Sequence, residues 1–204
     1  GDERYRLAQE IILGIGGVRM LRALGYTGLE RFHMNEGHAA LLGVELLREH
    51  PGSAPGAYDF EAVRDRCIFT THTPVPSGHD QLSYDLVKQV LGEPVPFEVL
   101  QMLGGADGFN MTRVALNLST YINGVAKRHG KVSREMFPDY MIDSITNGVY
   151  SPAWTSEGFR ELFDRHLPGW SKDPLSLRNA VRIPKDEIWG AHERAKAALS
   201  AEVG

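Results

Sequence analysis

The sequence predicts an α/β layered fold with parallel strands, and three observations carry that expectation. Two short apolar runs, ERFHMN at 30–35 and CIFTTHT at 67–73, read as strands. Stretches with apolar residues three and four apart surround them and read as helices. The resulting order of helix, strand, helix, helix, strand is that of a doubly wound α/β domain.

Each element has its own justification. Over 3–24, Tyr5, Leu7, Ile11, Ile12, Ile15, Val18, Leu21 and Leu24 recur at helical spacing, and Gly25 stands where a helix stops. The GIGG inside it, Gly14 to Gly17, does not qualify as a phosphate loop. Such a loop follows a strand and opens a helix, whereas Arg6, Gln9 and Glu10 precede this one in a helical pattern. Close helix packing is the expected role of these glycines. After the strand at 30–35 a helix is expected from 36 to 49, then a loop, PGSAPGAY, then a helix DFEAVRDR with Asp59 as its N-cap. The unbroken apolar start of CIFTTHT predicts a strand buried on both faces. Helices are expected over 84–91, 96–103 and 110–129, the last as one long buried helix, followed by a strand over 140–146. From Ser151 onward the pattern changes to amphipathic helices, placing a domain boundary near Asn147, with 1–146 in the first domain and 147–204 in the second.

Composition narrows the function. The 204 residues are 42% hydrophobic and 24% charged, with a net charge of −4, so electrostatics provides no reason for a nucleic-acid or membrane partner. No apolar run approaches the roughly 20 residues of a membrane span, and GDERYR does not read as a signal peptide. The single cysteine, Cys67, excludes an intrachain disulfide and fits a cytoplasmic location; its apolar setting marks a small buried hydrophobe and not a nucleophile. In parallel sheets, ligands bind beyond the carboxyl ends of the strands. Glu36-Gly37-His38 and Thr71-His72-Thr73 both fall there. A metal site from His33, Glu36 and His38 is disfavoured, because strand alternation throws His33 away from the other two.

Four segments, HMNEGHAALL at 33–42, FTTHTPVPSGHD at 69–80, FNMTRVALNLSTYINGVAKRHGKVSREMF at 109–137 and ITNGVYSPAW at 145–154, resemble the α-glucan phosphorylase family. The likeness is greatest to its shorter bacterial and archaeal branch and runs from Tyr5 to the C-terminus. It implies a GT-B fold of two Rossmann-like domains. This chain then looks like an internal fragment: the later part of the N-terminal domain (1–146), then the crossover and opening helices of the C-terminal cofactor domain (147–204). The implied reaction is phosphorolysis of a non-reducing-end α-1,4-glucosyl residue to glucose 1-phosphate. Its implied partners are α-1,4-glucan and orthophosphate, and its cofactor is pyridoxal phosphate on a lysine that no segment here matches. A homo-oligomeric parent is compatible with this reading.

By the resemblance, His72 holds the glucosyl residue and Asn147 bonds its primary hydroxyl. Glu36 and His38 line the adjoining channel as substrate contacts or supports for His72, with aspartate commoner at position 36 in the long members. Val125 is an apolar wall residue near the sugar. Tyr150 stands where relatives more often carry histidine. No carboxylate nucleophile is expected, since the task is positioning a sugar against phosphate. Two alternatives stand beside this reading: a GT-B glycosyltransferase using a nucleotide sugar, and a non-catalytic carbohydrate-binding remnant.

Overall fold

Asp2 caps helix α1 (Glu3–Ile11) by accepting a hydrogen bond from the Arg4 amide at 2.9 Å. The computed structural model that shows this describes residues 2–203, and the chain divides into two compact units, Gly1–Asn147 and Gly148–Gly204. From α1 the helical path continues through a π segment (Ile12–Gly16) into α2 (Gly17–Ala23) and ends at Gly25, whose φ of +88° glycine tolerates. The helix expected over 3–24 is therefore present, but the glycine-rich stretch widens it by one residue. Tyr5, Ile12 and Leu24, expected on its packed stripe, are 74%, 72% and 65% exposed, whereas Leu7, Ile15 and Val18 are buried. Tyr5 and Leu24 lie at the helix ends, and Ile12, five residues after the buried Leu7, falls about 140° round the helix from it.

Strand β1 (Phe32–Asn35) leads through a 3₁₀ turn (Gly37–Ala39) into α3 (Leu41–Glu49). A Cβ on Gly14 would lie 2.7 Å from the Leu42 amide nitrogen, so the α3 backbone packs directly on that glycine. Gly17 has nothing within 4 Å, and the close-packing role belongs to Gly14 alone among the three glycines. Helix α4 (Phe60–Arg64), capped by Asp59 on the Ala62 amide at 2.9 Å, precedes β2 (Cys67–Thr71), as expected. Next come β3 (Gln81–Leu82), α5 (Tyr84–Val90), α6 (Phe97–Gly104) and β4 (Phe109–Asn110); β3 and β4 form a small antiparallel ladder that periodicity did not reveal.

The single long helix expected over 110–129 is not formed. The segment is α7 (Met111–Asn117), then β5 (Tyr121–Gly124), then α8, which begins at Lys127 and runs to Met136. Apolar residues at helical spacing on both sides of 121–124 masked a four-residue strand, whose backbone groups find ladder partners against β2. Gly124 marks the changeover: a Cβ there would come within 3.1 Å of the Gly130 amide, so strand end and helix start touch through glycine. The strand expected over 140–146 shrinks to β6 (Asp143–Ser144).

All four main strands are parallel, in the order β1-β2-β5-β6. The order advances in one direction, so the reversal that defines a doubly wound sheet does not occur among the described residues. On one face Phe32, Met34, Cys67, Phe69 and Ile122 are buried in the core. Burial pushes the Cys67 thiol up to about 12, in keeping with its expected role as a small hydrophobe. On the opposite face β1 shows His33 and Asn35 to solvent, while Thr70 and Asn123 are buried although polar.

The second unit contains α9 (Ser151–Trp154), α10 (Glu157–His166), a 3₁₀ segment (Pro174–Arg182) and α11 (Lys185–Val203). Leu162, Ile183 and Ala191 form its small core, and the buried Trp170 donates its indole N–H to Asp164 at 2.8 Å. Of α11 only Ala191 is buried, so the amphipathic helix expected there covers little. No described helix is long and apolar enough to cross a membrane.

Candidate functional site

Parallel pairing puts Asn35, Thr70 and Asn123 side by side on one sheet face, one pair of strands after another. Just beyond the carboxyl ends of these strands the chain opens a pocket of about 410 Å³. It is lined by His33 and Asn35 of β1, Thr70 and the adjacent His72 of β2, Asn123 of β5, and Ile145 and Asn147 after β6. The Asn147 amide donates to the Val125 carbonyl at 3.0 Å, extending the β6 connection alongside the end of β5. His72 and Asn147, singled out from motifs far apart in sequence, thus face one cavity.

Glu36 acts from beside this pocket and is not among its lining residues. Its φ of 72° and ψ of 166° lie in a region that residues other than glycine rarely enter. The surrounding bonds hold it there. Its backbone N–H donates to the Thr70 carbonyl at 2.9 Å. One carboxylate oxygen accepts from the Gly37 amide at 3.0 Å, and the other accepts from the His72 amide at 2.6 Å and the Thr73 hydroxyl at 3.0 Å. The carboxylate therefore ties the end of β1 to the end of β2 and fixes the peptide that carries His72. It also serves as N-cap of the 3₁₀ turn.

The remaining expected residues lie elsewhere. His38 lines a separate pocket of about 260 Å³ with Arg6, Gln9, Glu10 and Leu13. There Glu10 is 3% exposed and its carboxyl is pushed up to about 7, by burial first and then by the charge of Asp80, against the pull of Arg6. Val125 is half-buried and presents its carbonyl to Asn147; it is not among the pocket-lining residues. Asp80 pairs with Arg6 at 2.6 Å, while His79 bonds the Thr112 hydroxyl at 2.8 Å and packs edge-on against Phe137. Burial lowers the His79 pKa, against the charges of Glu36 and Asp80, and so disfavours the charged ring in this packed position. Together these contacts pin the PVPSGHD loop to α1 and α7. Tyr150, in the second unit, is 69% exposed.

Sequence reasoning missed His33, Asn35, Thr70, Asn123 and Ile145. The signal available for the first three was strand parity, since polar residues two apart in β1 and β2 must share a face. Asn123 stayed hidden because its strand was read as helix.

No protein-family model matches the chain. Three curated relatives align with nearly all of it. It is 35% identical to a glycogen phosphorylase of Mycobacterium tuberculosis (strain CDC 1551 / Oshkosh), over 100% of this chain and 27% of the relative. The chain is related to the glycogen and maltodextrin phosphorylases. A maltodextrin phosphorylase of Thermococcus litoralis is 37% identical over 94% of this chain and 25% of its own length. For a glycogen phosphorylase of Aquifex aeolicus the figures are 33%, 97% and 32%. The chain thus spans about a quarter to a third of the length of the phosphorylases it matches. The parallel α/β architecture of the first unit is compatible with a Rossmann-like portion of a GT-B fold.

Proposed function

We propose that this chain supplies the glucan-binding part of an α-1,4-glucan phosphorylase, a glycosyltransferase that releases glucose 1-phosphate from the non-reducing end of its substrate. In this reading residues 1–146 are the later part of the N-terminal Rossmann-like domain, and 147–204 are the crossover and first helices of the cofactor domain. The observation that carries the reading is the meeting of His72 and Asn147 at one polar pocket, with Glu36 locking the His72 peptide. A glucosyl unit presents hydroxyls that both donate and accept. The Asn147 amide and the His72 ring and carbonyl match that need at the end of rigid strands. The names of the relatives favour phosphorolysis over transfer from a nucleotide sugar.

Pyridoxal phosphate, which the family implies, does not fit this pocket. Among its described lining residues there is no lysine to hold an aldehyde and no arginine to grip a phosphate. Binding of the cofactor and of orthophosphate is assigned to other parts of the polypeptide, and the role of these residues is to bind and orient the sugar.

In the intact protein, His72→Ala and Asn147→Ala should each slow phosphorolysis of maltodextrin, each through loss of hydrogen bonds worth ~0.5–1.5 kcal/mol apiece. The 204 residues alone should form no glucose 1-phosphate from maltodextrin and phosphate. Unchanged kinetics in both variants would remove the assignment.

A further inference from the structure

The buried polar atoms behind the pocket form a chain whose direction can be worked out. Asn123 is 5% exposed and its amide donates through Nδ2 to the Gly124 carbonyl at 3.3 Å. That bond orients the amide, so Oδ1 is the atom turned toward Thr70, and it accepts from the Thr70 hydroxyl at 2.9 Å. A threonine hydroxyl has one proton, and here Asn123 takes it. His33 Nε2 lies 2.7 Å from the same oxygen. With the hydroxyl proton committed, the only bond open to Nε2 is one that it donates.

This settles which nitrogen of a neutral His33 carries the proton: Nε2 does, and Nδ1 keeps its lone pair. Among the described residues Nδ1 has no hydrogen-bond partner, and His33 lines the same pocket as His72 and Asn147. Thr70 and Asn123 are buried on a sheet face, so the relay is rigid and prepaid in the fold. We propose that His33 is a further sugar-binding residue of this pocket, its Nδ1 accepting a hydrogen bond from a ligand hydroxyl while the Thr70–Asn123 pair holds the ring in the accepting tautomer.

The inference rests on the glucan-binding reading and adds to it a contact with a defined polarity. A hydroxyl is the group it selects. An ether oxygen or a phosphate oxygen at the same place would meet a second lone pair and be repelled. Strand alternation sets His33 apart from Glu36 and His38, and the same parity delivers it to this side of the sheet.

The test uses the intact protein labelled with ¹⁵N-histidine and ¹⁵N-asparagine under mildly alkaline conditions, where imidazole is neutral. Long-range ¹H–¹⁵N spectra should show His33 as the Nε2–H form, with the Nδ1 resonance moving when maltotriose is added. Thr70→Ser should keep that tautomer and Thr70→Val should lose its fixed population. His33→Gln retains an amide donor for Thr70 but has no acceptor at the Nδ1 position. It should weaken maltotriose binding about threefold to tenfold by calorimetry, the range for one net hydrogen bond, with an unchanged melting midpoint. An Nδ1–H tautomer overturns the inference. So does a His33→Gln protein that binds maltotriose like the wild type while the sugar still perturbs His72 and Asn147. If maltotriose perturbs none of the three residues, the glucan reading itself fails, and this ligand assignment with it.

Discussion

At Glu36 a single side chain sustains a backbone conformation that on its own costs on the order of 1–3 kcal/mol. Three accepted hydrogen bonds offset that cost, two of them from residues 36 and 37 positions further along the chain. Removing the carboxylate leaves the strain without its compensation. Glu36→Ala should therefore lose about 2–3 kcal/mol of stability, since bonds to a charged acceptor are the stronger kind. Glu36→Gly loses the same bonds but enters this backbone region freely, so it should be more stable than the alanine variant by about 1 kcal/mol. Denaturant melts of the two proteins decide the point, and an alanine variant as stable as the glycine one would show that the strain is not felt. Glu36, His72 and Asn147 could be picked out from motif resemblance. The work of Glu36 could not, because a positive φ and a cross-strand bond exist only once the two strand ends lie together.

At the scale of elements, the helical run over residues 3–23 was readable from its spacing, and the π turn within it was not. Gly14 and Gly17 are adjacent in pattern and opposite in surroundings. Alanine at Gly17 has free space and helical geometry, so Gly17→Ala should raise stability by roughly 0.4–1 kcal/mol through the unfolded chain. Alanine at Gly14 meets α3 backbone at 2.7 Å, which cannot swing aside as a side chain would. The resulting overpacking costs about 1–3 kcal/mol and outweighs the helix-propensity gain of about 1 kcal/mol. Gly14→Ala should therefore be destabilised in the same thermal melt that shows Gly17→Ala stabilised. A gain at both positions would mean that the π segment and α3 separate easily. Strand β5 illustrates the other failure of periodicity: YING is too short to announce itself between two helical patterns, and only pairing with β2 and β6 makes it a strand.

For the molecule as a whole, the pH dependence of stability carries the mark of Glu10. An unfolded glutamate ionises near its ordinary value of 4.5, whereas in the fold this one keeps its proton up to about 7. Between those values the folded chain binds more protons than the unfolded one, so this contribution to stability is full below about 4.5 and is lost as the pH rises to 7. His79, with its lowered pKa, works the other way: the unfolded histidine binds the proton more readily, so that contribution falls as the solution is acidified. Comparison with Glu10→Gln isolates the first effect. Urea midpoints of the variant should rise relative to the wild type between pH 4.5 and 7. A constant difference across that range would show that the buried carboxyl does not titrate as its surroundings imply.

What the sequence by itself determined is the kind of protein and the places to look. Apolar spacing located most helices and two main strands, and the four motifs pointed to the phosphorylases and to residues 36, 72 and 147. These features are local, set by which residues lie within a turn or two of one another. Which polar groups share a pocket was decided only by the tertiary structure. His33, Thr70 and Asn123 lie on three strands, and parallel register alone brings them together. The turn after β1, outside the paired register, carries His38 away from His72 to a different cavity. Long-range pairing is a property of the whole sheet, and no window along the chain contains it.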